Sequence, residues 1–159
     1  MARKKYRLQT VLDTRDRAMK DAACALAERR KRLLEAQEEQ ARLEAALSLC
    51  RGQQAAAQAE MMAEAQKGVE AGHLVIHRTH LADLRNIEQQ LIAELEQQRA
   101  VVARLEQEAD RALAVLIEAS KELQVMEKHR EGWQHQARQE ETRREQKLND
   151  EISALLHNR

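Results

Sequence analysis

Hydrophobic residues recur through this chain at heptad spacing, and the rhythm breaks once. Leu12, Met19, Leu26, Leu33, Leu47 and Met61 fall in one register of seven, with Leu8, Ala22, Ala36, Leu43, Cys50 and Ala57 in the companion register. After a glycine-marked interruption, Leu81, Leu95, Val102, Ala109, Leu116 and Leu123 resume at multiples of seven. Leu84, Leu91, Leu105, Ala112, Ala119, Met126 and Trp133 run alongside. A stripe of this period is the sequence form of a coiled-coil seam. No proline interrupts the 159 residues, so nothing removes a helical hydrogen bond by force.

A long helix with an exposed apolar stripe is marginal alone in water and must bury that stripe. Folding one stretch back on the other does so within a single chain. The predicted fold is therefore all-α, a long antiparallel two-helix coiled-coil hairpin with one turn near residues 67–78. One domain spans residues 1–159, with a helix over about 4–66 and a second over about 79–157. Gly68 is placed to end the first helix in the left-handed conformation, and Gly72, Val75 and Ile76 make the following stretch a poor helix. The second helix should overhang the first by roughly 16 residues, giving a rod about 100 Å long at helical rise. Near its end Leu148, Ile152, Leu155 and Leu156 follow a shifted stripe. A parallel dimeric coiled-coil scaffold is the competing architecture, and the hairpin is expected to be a monomer on its own.

Composition agrees with a rod more than with a globule. Charged residues make up 34% and aromatic residues 1% of the chain, with no phenylalanine, whereas compact cores draw on aromatic area. Arg15, Arg29, Gln40 and Gln54 in the first stretch, and Glu88, Gln98, Arg130 and Arg144 in the second, sit at seam positions where leucine would pack best. Polar seam residues fix register at a cost in stability. Trp133, in the seam register, is expected to pack near Arg15–Met19. Cys24 and Cys50 lie 26 residues apart on one predicted helix, about 39 Å at helical rise, too far to bridge. They read as reduced thiols of a cytoplasmic protein.

The formal net charge is zero, but residues 1–32 carry eleven Lys or Arg against four Asp or Glu, and residues 33–66 carry two against six. The basic arm could face phosphates, acidic lipid or an acidic protein surface. Asp13, Asp16 and Asp21 interrupt it and no stacking aromatics accompany it, which disfavours nucleic acid. The alanine-rich stripe lacks the bulky anchors of a membrane-surface helix, and no apolar run is long enough to span a bilayer. The start MARKKYRLQT has no apolar segment of a secretory signal.

Enzyme chemistry has no foothold. Four glycines supply no phosphate loop, and there is no Cys-x-x-Cys or His-Glu-x-x-His. Carboxylates on convex helix surfaces stay in high dielectric, where acid–base tuning is weak. His73, His77 and His80 share a helix face by spacing, but no fourth ligand adjoins them, so no metal and no cofactor is expected.

The N-terminal run KKYRLQTVLDTRDRAMKDAACALAERRKRLLEAQEEQARLEAAL resembles the opening of the FliJ and YscO family, central stalk proteins of flagellar and injectisome type III secretion. The C-terminal run HREGWQHQARQEETRREQKLNDEISALLHNR resembles the YscO injectisome branch, with its Glu-x-Trp step, Glu/Arg-rich tract, Asp-Glu step and short apolar end. The resemblance implies a non-enzymatic cytoplasmic stalk, peripheral at the base of the secretion apparatus. Its end carrying both termini would enter the pore of the hexameric export ATPase, and its turn would reach the export gate's cytoplasmic ring. Arg3, Lys4, Lys5, Arg7, Arg15, Arg17, Arg138, Arg143, Arg144 and Lys147 are the implied ATPase-facing residues. Ala46, Cys50, His80, Leu84, Ile87 and Leu91 are the implied gate-facing ones. Aromatics carried by the flagellar branch are replaced here by Ala46, Cys50 and His80, which favours the injectisome branch. An escort for unloaded secretion chaperones is a second role that the resemblance allows.

Overall fold

A computed structural model of the chain describes residues 6–68 and 70–157. Two helices make the fold: α1, Gln9–Gln66, and α2, Ala71–His157. They pack against each other as an antiparallel hairpin, with no strand among the described residues. Among the described residues fifteen hydrophobic ones are buried, and all but Tyr6 belong to the heptad stripes. The seam is thin. No described side chain falls below 2% exposure, because each layer of a two-helix coil leaves an edge open to water.

The chain divides into two compact units, Met1–Leu26 with Ala112–Arg159, and Ala27–Arg111. In the first, Tyr6, Leu12 and Leu123 form the core, with Met19, Met126 and Trp133 packed against it. Arg15 bonds Glu122 at 2.5 Å and Tyr6 bonds His129 at 2.7 Å. The numbers in these two pairs sum to 137 and 135. In the second unit, Cys50, Ala57, Leu81 and Leu84 form the core, with Met61 and Leu91 against it. Its crossing pairs sum to between 134 (Ala36 with Gln98) and 143 (Glu44 with Arg99). A nearly constant sum is what antiparallel pairing requires, and the long Arg side chain accounts for the high end.

Helix starts differ from the sequence reading at both places. α2 begins at Ala71, about eight residues before the expected start. Gly72, Val75 and Ile76 cost at most about 1 kcal/mol each in helix propensity. Against that, Leu74 and His77 are half-buried ahead of buried Leu81 and Leu84, so the 3,4,3 seam spacing continues back through this stretch. Packing overrides the propensity. The connection shrinks to residues 67–70. Gly68 has φ +73° and its N–H donates to Ala65 O at 3.3 Å, which makes it the expected left-handed stop. α1 begins at Gln9, later than expected, because Tyr6 turns away from the helical path towards α2. Leu8, expected in the seam, is 39% exposed, and Tyr6 at 9% takes its place.

Candidate functional site

Polar seam residues build the best-defined local geometry, in the second unit. Glu88 is only 18% exposed. It accepts a hydrogen bond from Arg51 Nε at 2.8 Å and one from Gln54 Nε2 at 2.9 Å. Gln54 also donates to Leu84 O at 3.2 Å, and the Cys50 thiol donates to the same carbonyl at 3.4 Å. The Arg51 bond, then the Gln54 bond, hold the Glu88 carboxyl below its ordinary pKa of 4.5. Hydrogen bonds from Gln40 and then Arg99 lower Glu44 in the same way. Further along, Gln98 Nε2 donates to Ala36 O at 2.8 Å. The bonds of Arg51, Gln54, Gln98 and Arg99 each tie a side chain to one position on the opposite helix, whereas Gln40 to Glu44 stays within α1, so a slip of one turn would strand the half-buried donors Gln54 and Gln98. This is register setting, and it explains why glutamine and glutamate replace leucine here.

Around the turn, the implied gate-facing residues separate into two groups. Cys50 at 3% and Leu84 at 6% exposure are taken up by the seam itself, so a partner on the closed hairpin does not reach them. Ala46 and Leu91 are half-buried, while His80 is exposed and Ile87 is 46% exposed. Met62, Val75 and Ile76, at 59%, 60% and 66%, add exposed apolar side chains. Sequence reasoning treated Val75 and Ile76 as helix breakers and missed them as surface. The available signal was their position between the seam residues Leu74 and His77. His77 Nε2 lies 2.8 Å from Glu64 Oε2 across the hairpin, and among the described residues no three His, Cys, Asp or Glu converge as a metal site.

The first unit holds the implied ATPase-facing residues. Arg3, Lys4 and Lys5 lie outside the described residues. Arg7, Arg15, Arg17, Arg138, Arg143, Arg144 and Lys147 are all exposed. Arg15 is engaged by Glu122, and Arg144 lies 3.9 Å from Glu140. Arg7, Arg17, Arg138, Arg143 and Lys147 make no ion pair among the described residues. The basic arm is not one strip. Its excess comes from residues 3–7 and from Arg29–Arg32, which lies in the other unit, and there Lys31 and Arg32 pair with Glu35 and Glu28.

Two arrangements in this unit bear on binding. Every residue from Arg138 to His157 is exposed, so α2 runs on past its last half-buried residue, Ala137. Arg144 is therefore not a seam residue, since nothing described packs opposite it. Leu148, Ile152, Leu155 and Leu156, at 59%, 48%, 72% and 72% exposure, form an uncovered apolar face on this extension. The last packed layer is aromatic. Tyr6 meets Trp133 at 5.4 Å and His129 at 5.8 Å between ring centroids. Trp133 thus packs on Tyr6, nearer the chain start than the expected Arg15–Met19. In the same turn Arg130 Nε is buried with no hydrogen-bond partner, a state that costs about 1–3 kcal/mol.

A family model described as YscO-like protein matches residues 3–159. The chain belongs to the YscO-like family. No curated relative matches it. A solved structure named as that of a candidate YscO homolog, CT670 from Chlamydia trachomatis, superposes with a TM-score of 0.79 at 22% identity, covering 98% of this chain and 96% of that one. At that identity the likeness speaks for the two-helix fold alone. Membership associates this YscO-like chain with type III secretion. No described helix is long and apolar enough to cross a membrane.

Proposed function

We propose that this YscO-like chain is a non-enzymatic cytoplasmic stalk of the injectisome branch, seated at the base of the secretion apparatus. It inserts into the pore of the hexameric export ATPase and links that ATPase to the export gate. One observation carries the reading: the extension from Arg138 to His157, exposed throughout, with an uncovered apolar face. A solvated helix gains nothing from such a face, whereas one entering a protein pore buries it at about 25 cal/mol per Å². Arg138, Arg143 and Lys147, free of ion pairs among the described residues, complement a carboxylate-lined wall. At the turn, Met62, Val75, Ile76 and Ile87 offer an exposed apolar surface for the gate.

The test is ATP hydrolysis by the cognate ATPase with and without the chain, paired with a binding measurement. Binding with stimulated turnover supports the stalk. An ATPase that neither binds the chain nor changes its rate refutes it.

A further inference from the structure

The aromatic layer that closes the first unit differs from the rest of the seam in one respect: Tyr6 reaches α2 from outside a helix. It precedes α1, and its backbone is tied to that helix by one bond, from Gln9 N–H to Tyr6 O at 3.3 Å. Among the described residues, its hold on α2 is through its side chain. The hydroxyl shares a hydrogen bond with His129 Nδ1, and the ring leans on His129 and Trp133. Lifting Tyr6 by rotation at Arg7 gives up that one backbone bond and leaves Leu12 N–H on Leu8 O in place. Within the same turn of α2, Arg130 Nε is buried without an acceptor among the described residues.

We propose that Tyr6 is a releasable strap that gates the partner-binding end of the first unit. Closed, it covers Trp133. Open, it leaves an indole face directly ahead of the exposed extension, continuing the partner surface along α2. A partner that needs this face binds only the open form, so the closed strap lowers apparent affinity by the fraction of time it is shut. The gating claim rests on the ATPase reading. The claim that Tyr6 covers Trp133 does not.

The single tryptophan and single tyrosine of the chain make the strap observable in the full-length protein. In Tyr6→Ala, Trp133 emission should shift red and become more accessible to acrylamide, with helical circular dichroism retained. Unchanged emission, or a broad loss of helix, overturns the strap. For gating, Tyr6→Ala should bind the ATPase several-fold more tightly than the parent, and Tyr6→Phe, which keeps the ring but loses the His129 bond, should fall between the two. Equal binding by Tyr6→Ala and the parent overturns the gate and leaves the ATPase reading standing. If no variant binds, the opened one included, both the ATPase reading and the gate fail, and the fluorescence result still decides whether Tyr6 covers Trp133.

Discussion

Leu84 and Ile87 stand three residues apart on α2, and the fold assigns them opposite roles. Leu84 is 6% exposed and packs with Cys50, Ala57 and Leu81, while Ile87 is 46% exposed. Leu84→Ala removes three buried carbons, about 2.4 kcal/mol at roughly 0.8 kcal/mol per CH₂. The cavity addition should be small, because a two-helix seam can close over the gap or admit water, so the total belongs near the low end of the ~2–5 kcal/mol range for such changes. Ile87→Ala removes carbons that are already half in water and should cost less than about 1 kcal/mol. Urea unfolding followed by circular dichroism, with both variants and the parent at one concentration, gives the comparison. The same variants in a gate-binding assay should show the reverse order, with Ile87→Ala losing affinity while its stability is nearly kept. Equal destabilisation by the two substitutions, or a neutral Leu84→Ala, would refute the assignment of the seam.

Other outcomes follow from single observations. Glu88 and Glu44 have lowered folded pKa values, so their contribution is present above the ordinary carboxylate value of 4.5 and is lost as pH falls through the lowered ones. Glu88→Gln should therefore flatten the decline of the melting temperature on acidification, and an unchanged pH slope would contradict the Arg51–Gln54 clamp. Gly68→Ala forces a Cβ into φ +73° and should cost about 1 kcal/mol, read as a lower urea midpoint. Gly52→Ala meets open space on a helix and should stabilise by up to about 1 kcal/mol in the same assay. Deleting residues 138–159 should abolish ATPase binding while Trp133 emission keeps its folded position, since no residue from Arg138 to His157 is packed.

Much of the architecture was legible because one force dominates it. Heptad spacing names the inward face of each helix without knowledge of its partner. Every buried residue from Leu12 to Leu123 is one it named, while Met19, Leu33, Leu43, Leu91, Leu105 and Leu116, also named, are half-buried. Gly68 was legible for an equally local reason, since a left-handed stop favours glycine. The polar seam positions were legible as register devices but not in their bonding. That Gln54 reaches Leu84 O and Glu88, and Gln98 reaches Ala36 O, depends on which residues the turn brings opposite one another.

What only tertiary structure decided lies where local preference and packing disagree, or where distant residues meet. α2 starts at Ala71 because Leu74 and His77 gain enough against α1 to outweigh a glycine and two β-branched residues. Tyr6 leaves the helical path because its ring and hydroxyl find Trp133 and His129, more than 120 residues away in sequence. Cys50 and Leu84 stood both in the heptad stripes and among the implied gate-facing residues, and burial assigns them to the seam. The basic arm, one block by residue count, divides between two units in space. The sequence by itself determined which face of each helix must be hidden from water, since hydrophobic period is a property of one strand of chain. Which residues meet across that face, and which are left over for partners, belongs to the pairing of two strands and is fixed only when they close.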